Sequence, residues 1–433
     1  MSEKISYIVL QLVDILGQMK GVVVPCTPAE TLQELARDSV LQSGSSIDGS
    51  SVTGLTSVEF SDLKLRPDID TLVEIPYTPY RTAAVMCYVQ RKADSDQSYY
   101  HLDTRGVLQM AYDKLLPKGV HLKAKTEPEF FFITDEGDLF DAGRYADVYP
   151  ADPAQEVLLE IATAVQEMGI GVRVAHHEVG ESQHEIELAF DDARRMADSI
   201  VRFKNAARAI AQDAGIDVTF MPKPVQNMAG SGLHCHLQLW EGDKNLFGAD
   251  KSGELSETAL HFIAGLLEHA PAITAISNPT VNSYKRLVPH HEAPVYVCWG
   301  YRNRTALLRV PLFSDAQHAA IEYRSPDPLT NPYMLFTVLI AAGMDGVDRA
   351  LEPPKPVSKD VFKMDDKERE EMGITTLPNN LREALSALQN DHVICKALGE
   401  KLVDNFVSIK LTEWTEYTNH AITDWEWERY QHS

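Results

Sequence analysis

The sequence predicts an α+β chain of two domains, and three observations carry that expectation. The first hundred residues break into short apolar strands separated by turn-forming residues. The remainder alternates strands with longer amphipathic helices. The strands of this larger part hold acids and bases in their interiors, where a sheet built only for packing holds apolar side chains. At 433 residues, 44% hydrophobic and 24% charged, the chain is long enough for two substantial cores. Its formal charge of -23 repels phosphate backbones and anionic lipids, so the expected partner is a small molecule, with no nucleic acid and no membrane.

In chain order, YIVLQLVDI, KGVVVP, TLVEIP and AAVMCYVQ read as strands, with one helix near residues 27–41 and a polar tract, SGSSIDGSSVTG, that reads as a flexible turn. A break at RKADSDQSYYHLDT divides the chain into domains 1–103 and 104–433. The amino terminus lacks the basic start and small-residue cleavage site of a signal peptide, and no later run reaches the length of a membrane span. A cytoplasmic protein is expected. Cys26, Cys87, Cys235, Cys298 and Cys395 are odd in number and scattered without a CxxC pair, which predicts reduced, mostly buried thiols.

The second domain opens with a helix, RGVLQMAYDKLL, followed by the strand KAKTEPEFFFI. Residues two apart on a strand share a face, so Glu127 and Glu129 leave it side by side, and something positive must meet them. The longest helix, DDARRMADSIVRFKNAARAIAQDAG, is capped at Asp191 or Asp192 and stopped at Gly215. Its stripe of Met196, Ile200, Phe203, Ala207 and Ile210 faces a core. The acidic run KMDDKEREEMG reads as a solvated helix surface.

Four further segments repeat the oddity of the glutamate strand. HHEVGESQHEIEL places Glu178 and Glu185 beside a histidine pair, and AGSGLHCHLQLW carries His234 and His236. IEYRSPDP holds Glu322 and Arg324, while NSYKRLVPHHEAP and YRNRTALLRVP supply Arg286, Glu292, Arg304 and Arg309. Salt bridging with these arginines accounts for any one acid taken alone. Five or six carboxylates and an imidazole exceed that supply if the arginines also bind substrate. Hard divalent ions, Mg²⁺ or Mn²⁺, suit such ligands, and a set without thiolates argues against structural zinc. Paired ions with several arginines suit phosphoryl transfer, and the absence of GxxxxGK[ST] excludes a P-loop.

Taken together, IDGSSVTG, TEPEFFF, HHEVGESQHE, FMPKPVQNMAGSGLHCH, NPTVNSYKRLVP, EAPV, RNRTALLRVP and IEYRSPDPLTNPYM resemble glutamine synthetase, type I, in order and spacing over nearly the whole chain. The resemblance implies an amino-terminal β-grasp domain, a catalytic domain with a funnel-like antiparallel sheet and surrounding helices, and a dodecamer of two stacked hexameric rings with active sites between subunits. It implies one metal site from Glu129, Glu178 and Glu185 and another from Glu127, His234 and Glu322. The implied reaction is ligation of ammonia to the γ-carboxylate of glutamate through γ-glutamyl phosphate, with ATP as co-substrate. Arg304 and Arg309, with His236, then lie on the ATP side, Arg286 holds the glutamate α-carboxylate, Arg324 stands near the transferred group, and Gly230 approaches substrate through its backbone. Asp48 and Ser51 of a neighbouring subunit, with Tyr145 and Glu178, match the ammonium pocket, and Glu292 matches the flap glutamate that closes the site and helps take the proton.

The flap reads PHHEAP rather than PGYEAP, so His290 and His291 are substitutions, and Ala229 replaces an asparagine that commonly touches glutamate. Glu181, Ser182 and Gln183 replace a Pro-Gly-Gln loop, and Arg173 and Ala320 replace residues near the nucleotide. Phe362 stands where some members carry a modifiable tyrosine, and Ser57 where others carry a feedback arginine. These changes admit a γ-glutamyl-amine ligase using methylamine, ethanolamine or a polyamine; the retained Asp48, Ser51 and Tyr145 favour ammonia. A catalytically silent homologue is expected to lose metal ligands, and all six are present.

Overall fold

The computed structural model describes residues 4–91, 99–249, 253–289 and 293–431. Strand β1 (Ile5–Val13) returns antiparallel as β2 (Met19–Ala29). Asp14 closes the turn, its Oδ1 accepting from the amides of Leu16 and Gln18 at 3.0 and 2.9 Å. Gly17 follows at φ +78°, and a Cβ there would stand 2.9 Å from the Asn331 Cα, so only glycine satisfies both the turn and its contact with the distant segment.

The helix expected over 27–41 is instead the end of β2 followed by two short helices, α1 (Leu32–Leu35) and α2 (Ser39–Ser43). Asp38 causes the break. It is extended at ψ 142°, caps α2 through a 2.8 Å bond from the Val40 amide, and accepts from the Thr27 amide at 3.0 Å. The polar tract is likewise more ordered than a flexible turn. It forms β3 (Ser45–Asp48) and a 3₁₀ turn, Gly49–Ser51, and pairs with β4 (Asp62–Pro67), a strand the sequence reading passed over. With β5 (Val73–Ile75) and β6 (Thr82–Arg91) the sheet order is β2-β1-β6-β4-β3, and β5 also pairs with β6. Only β1 and β6 run parallel in it.

Helix α3 (Thr104–Leu115) leads into β7 (Val120–Ile133), α4 (Gln155–Glu167), β8 (Val172–His177), β9 (Gln183–Asp192) and α5 (Ala193–Asp213). Asp192 caps α5 by accepting from the Arg194 amide, and the five expected stripe residues are all buried. Next come β10 (Asp217–Thr219), β11 (Leu233–Glu241), β12 (Lys244–Asn245), α6 (Glu257–Glu268), α7 (Ala270–Ser277), α8 (Ser283–Arg286), β13 (Tyr296–Val297), β14 (Trp299–Tyr301), β15 (Leu308–Val310) and β16 (Ile321–Tyr323). The chain ends with the core helix α9 (Pro332–Asp348), the solvated α10 (Asp366–Glu371), β17 (Thr375–Thr376), α11 (Leu381–Asn390), α12 (His392–Leu398), α13 (Glu400–Asn419) and α14 (Asp424–Tyr430). The large sheet runs β14-β15-β16-β11-β7-β9-β8, with β10 added to β7 and β12 to β11. It is antiparallel except between β14 and β15. The five cysteines are free, three of them buried. Among the described residues no single helix is long and apolar enough to cross a membrane.

The two sheets are joined through Arg105. Its guanidinium pairs with Asp198 of α5 at 3.0 and 2.9 Å, reaches Asp68 at 2.7 Å, and lies 4.2 Å from the Tyr88 ring centroid on β6. Tyr333 of α9 donates to the same Asp198 at 2.6 Å. Asp198→Ala leaves the Arg105 guanidinium with Asp68 alone and takes the acceptor from the buried Tyr333 hydroxyl, so it is expected to cost about 3 kcal/mol. Denaturant unfolding measures this, and an unchanged midpoint would show that the join does not depend on this pair.

Candidate functional site: a carboxylate and arginine cavity

Strand register builds the site. In β7, Glu129 stands opposite Glu185 of β9, and Glu127 opposite His234 of β11. One strand further out on each side, His176 of β8 faces Glu185, while His236 faces Glu322 of β16, which faces Arg309 of β15. Directly opposed residues share a face of an antiparallel sheet, so these pairings gather acids, imidazoles and an arginine in one row. Apart from His236, which is not among the lining residues, the row floors a cavity of about 530 Å³, walled by Tyr145, Glu178, Gly230, Arg286, Arg304 and Arg324.

The opposite face anchors one edge of this row. His177 and His184 point away from the cavity, and their Nε2 atoms meet Asp141 and Asp152 at 2.8 and 3.2 Å. Those two aspartates bracket the loop that brings Tyr145 to the rim, where its ring lies 5.5 Å from that of His176.

Positive charge does meet the side-by-side glutamates, chiefly at Glu127. Lys125 Nζ lies 3.0 Å from Glu127 Oε1, His236 Nε2 2.8 Å from the same oxygen, and His234 Nδ1 3.3 Å from Oε2. Burial opposes ionisation of Glu127, and the two histidine bonds overcome it, holding the carboxyl below the usual range. His234 itself is pushed down to about 4 by burial and by Arg324, which leaves a neutral imidazole. Lys125 was absent from the sequence reading, although its position two residues before Glu127 places it on the same face. It also pairs with Glu187.

Glu129 is served differently. The Gly232 amide donates to its Oε2 at 2.7 Å and the Gln183 side chain at 3.2 Å. Neither Glu129 nor Glu185 has a lysine or arginine within ion-pair distance among the described residues. Burial raises Glu129 to about 8, with the Glu178 and Glu185 charges adding to it, and burial raises Glu185 to about 6. The Glu185 bond raises His176 to about 9. Glu178 lies near this histidine, Oε1 to Nδ1 at 3.7 Å.

Ligand atoms cluster closely enough for an ion in Glu127, His234 and Glu322; in Glu129, Glu185 and His234; and in His176, Glu178 and Glu185. The first is the expected second metal set. The expected first set is divided between the other two clusters, which adds His176 as a neighbour. Oxygen donors with an occasional imidazole and no thiolate fit hard divalent ions.

Arg309 and Arg324 both clasp Glu322, and burial of that carboxyl is outweighed first by Arg324, bringing it to about 2. The Nε atoms of both arginines are buried without a hydrogen-bond partner among the described residues. Arg286 donates to the Ser325 carbonyl at 2.7 Å. Beside it, a Cβ on Gly230 would stand 2.3 Å from the Pro222 oxygen, so this wall is bare backbone. Ala229 lies at the same wall.

Asp48 and Ser51 are not in this chain's cavity lining. Asp48 ends β3 and Ser51 lies in the 3₁₀ turn after it, both exposed, and the Ser50 and Ser51 hydroxyls donate to the Asp48 carboxylate at 2.6 and 2.8 Å and lower its pKa. Glu292, with His290 and His291, falls outside the described residues.

Comparison with known proteins agrees with this architecture. The description "Glutamine synthetase, beta-Grasp domain" matches residues 4–92, and "Glutamine synthetase, catalytic domain" matches residues 101–430. Glutamine synthetase of Pyrococcus abyssi (strain GE5 / Orsay) is 44% identical over 98% of this chain and 96% of its own. That of Methanocaldococcus jannaschii is 40% identical over 98% and 95%. Among solved structures, a GmaS/ADP complex superposes with TM-score 0.87 at 29% identity over 99% of this chain and 97% of the other. A Plasmodium falciparum glutamine synthetase shares the fold, with TM-score 0.84 at 24% identity over 98% and 96%. The chain is therefore a ligase and belongs to the glutamine synthetase family.

Proposed function

We propose that the chain joins ammonia to the γ-carboxylate of L-glutamate with ATP, giving glutamine, ADP and phosphate. The observation that carries this reading is the single cavity in which three ion-sized ligand clusters lie beside Arg286, Arg304, Arg309 and Arg324. A carboxylate is a poor acyl donor because oxide is a poor leaving group. Transfer of the ATP γ-phosphoryl group to a glutamate oxygen makes phosphate the leaving group instead. Divalent ions, Mg²⁺ or Mn²⁺, held by Glu129, Glu178 and Glu185 and by Glu127, His234 and Glu322 would supply positive charge to the phosphoryl oxygens.

In this reading Arg304 and Arg309 steady the phosphoryl group, with His236 behind them holding Glu127 in place. Arg324 faces the transferred group. Arg286 grips the glutamate α-carboxylate, and bare backbone at Gly230 lets the substrate lie close. Glu178 and Tyr145, with Asp48 and Ser51 of a neighbouring subunit, collect ammonium, and Glu292 takes its proton so that the nitrogen lone pair attacks the acyl carbon and phosphate departs. Asp48, exposed and outside its own chain's cavity lining, supports a site shared between subunits, and a dodecamer of two stacked six-membered rings would provide that contact.

The two halves of the glutamate pair are expected to respond differently to substitution. Glu129→Gln removes one of three crowded acids, so without metal it should leave the melting temperature unchanged or higher, while lowering bound Mn²⁺ in titration and turnover by about 10²-fold or more. Glu127→Ala takes a shared acceptor from Lys125, His234 and His236, leaving Lys125 only Glu187, and is expected to cost about 1–3 kcal/mol even without metal. Equal destabilisation by both would mean that Glu129 is a salt-bridge partner.

Mixing inactive Asp48→Ala subunits with inactive Glu178→Ala subunits should restore part of the activity, because some shared sites receive both intact halves. Mixed oligomers, verified by mass, that stay inactive would confine each site to one chain.

Amine choice tests the reaction itself. Ammonium is expected to exceed methylamine, ethanolamine and putrescine in kcat/KM. Exclusion of one methylene is worth about 1–3 kcal/mol, so slight methylamine turnover is compatible with this. An organic amine that matches ammonium at saturating glutamate and ATP would overturn the assignment in favour of a γ-glutamyl-amine ligase.

A further inference from the structure

A second cavity, of about 400 Å³, lies where the β1–β2 turn meets α5 and α13, and the reaction above makes no use of it. Three cations line it: Lys204 and Arg208 from successive turns of α5, and Lys410 from α13. Among the described residues no carboxylate lines it, in a chain whose net charge is -23.

Charges taken out of water are ordinarily paired, and neither the buried Lys204 nor the half-buried Arg208 has an ion-pair partner among the described residues. Lys204 is buried, and its Nζ donates at 2.6 Å to the Pro328 carbonyl, a neutral acceptor. Arg208 rests 5.1 Å from the Phe220 ring centroid and forms no hydrogen bond or ion pair among the described residues. Of the three, Lys410 alone forms an ion pair among the described residues, with Glu413 Oε2 at 2.8 Å; Asp327 and Asp14 act on Lys204, and Asp217 on Arg208, only from beyond ion-pair distance. Residues four apart on a helix are neighbours, so Lys204 and Arg208 also repel each other. Burial, with Arg208 adding to it, brings the Lys204 amine down to about 7.

We propose that this cavity is a binding site for a small, doubly charged oxyanion of the phosphate type, with Lys204, Arg208 and Lys410 as its cations and Asn205 and Thr280 as hydrogen-bonding walls. Such an anion supplies the missing counter-charge to two cations at once, and its several oxygens suit both the guanidinium fork and the ammonium groups.

The test is equilibrium dialysis of the full-length protein against labelled inorganic phosphate, in chelator so that phosphate is not recruited by metal at the catalytic acids. The expected result is one saturable phosphate per chain, unaffected by Arg309→Gln and weakened about tenfold or more by Arg208→Gln. Lys410→Gln, on a different helix, should weaken it in the same direction, and Arg208→Lys should retain most of it. Occupancy should also raise the melting temperature of the unaltered protein and not that of Arg208→Gln. Competition by glycerol phosphate would identify the site as a receptor for phosphate esters; its failure would restrict the site to the free ion. No saturable binding up to about 10 mM, binding equal in Arg208→Gln and Lys410→Gln, or binding lost only in Arg309→Gln would overturn the proposal.

Discussion

The register of β7 between β9 and β11 is the constraint on which the rest of this molecule depends. It sets Glu129 against Glu185 and Glu127 against His234, and because side chains alternate, a slip of one residue would send every one of them to the opposite face. That opposite face is firmly committed. Phe130 and Phe132 lie on it, edge to face at 5.3 Å, and Phe130 packs against Phe203 of α5 and Phe220 at 5.9 and 5.7 Å. The apolar packing beneath the sheet is what obliges the acids to face one another above it.

The resulting crowd of charge is balanced unevenly across the cavity. On the side of β11 and β16, Glu127 and Glu322 are met by Lys125, Arg309 and Arg324, and both carboxyls are held low. On the side of β9, Glu129 and Glu185 have amides and imidazoles, His176 among them raised to about 9, but no lysine or arginine within ion-pair distance among the described residues, and both carboxyls are raised. One half of the site is thus preset for anions. The other has its greatest electrostatic need for a bound cation.

Much of this was legible in the sequence because the departures from ordinary patterning were sharp. Two glutamates in a phenylalanine-rich strand, two histidines alternating in another, and the five-residue stripe of α5 all fall where their spacing placed them. The failures have physical causes. Residues 27–41 have helical composition, but Asp38 takes two backbone amides and interrupts the run, a competition invisible to periodicity. Strand β4 was missed although Leu63 and Leu65 alternate with exposed or half-buried neighbours, because its six residues follow a turn-rich stretch. Lys125, two residues before Glu127 on the same face, reads in the sequence as an ordinary solvated strand lysine, and only the register shows it buried against the acids. The proposed sharing of a site between chains, at Asp48 and Ser51, leaves no periodic trace; the family resemblance alone suggests it.

The same register has a consequence for how the protein is made. Glu127 and Glu129 leave the ribosome early, whereas His234 follows much later and Glu322, Arg309 and Arg324 later still. Until β11 and β16 emerge and pair, β7 presents a long edge of unsatisfied backbone beside clustered acids and three phenylalanines. Pairings so distant in the chain form slowly, because loop closure must be completed before they reward it. A nascent chain stalled short of residue 304 would therefore hold every carboxylate of the β9 half and none of Arg304, Arg309 and Arg324, with that edge of β7 open to aggregation.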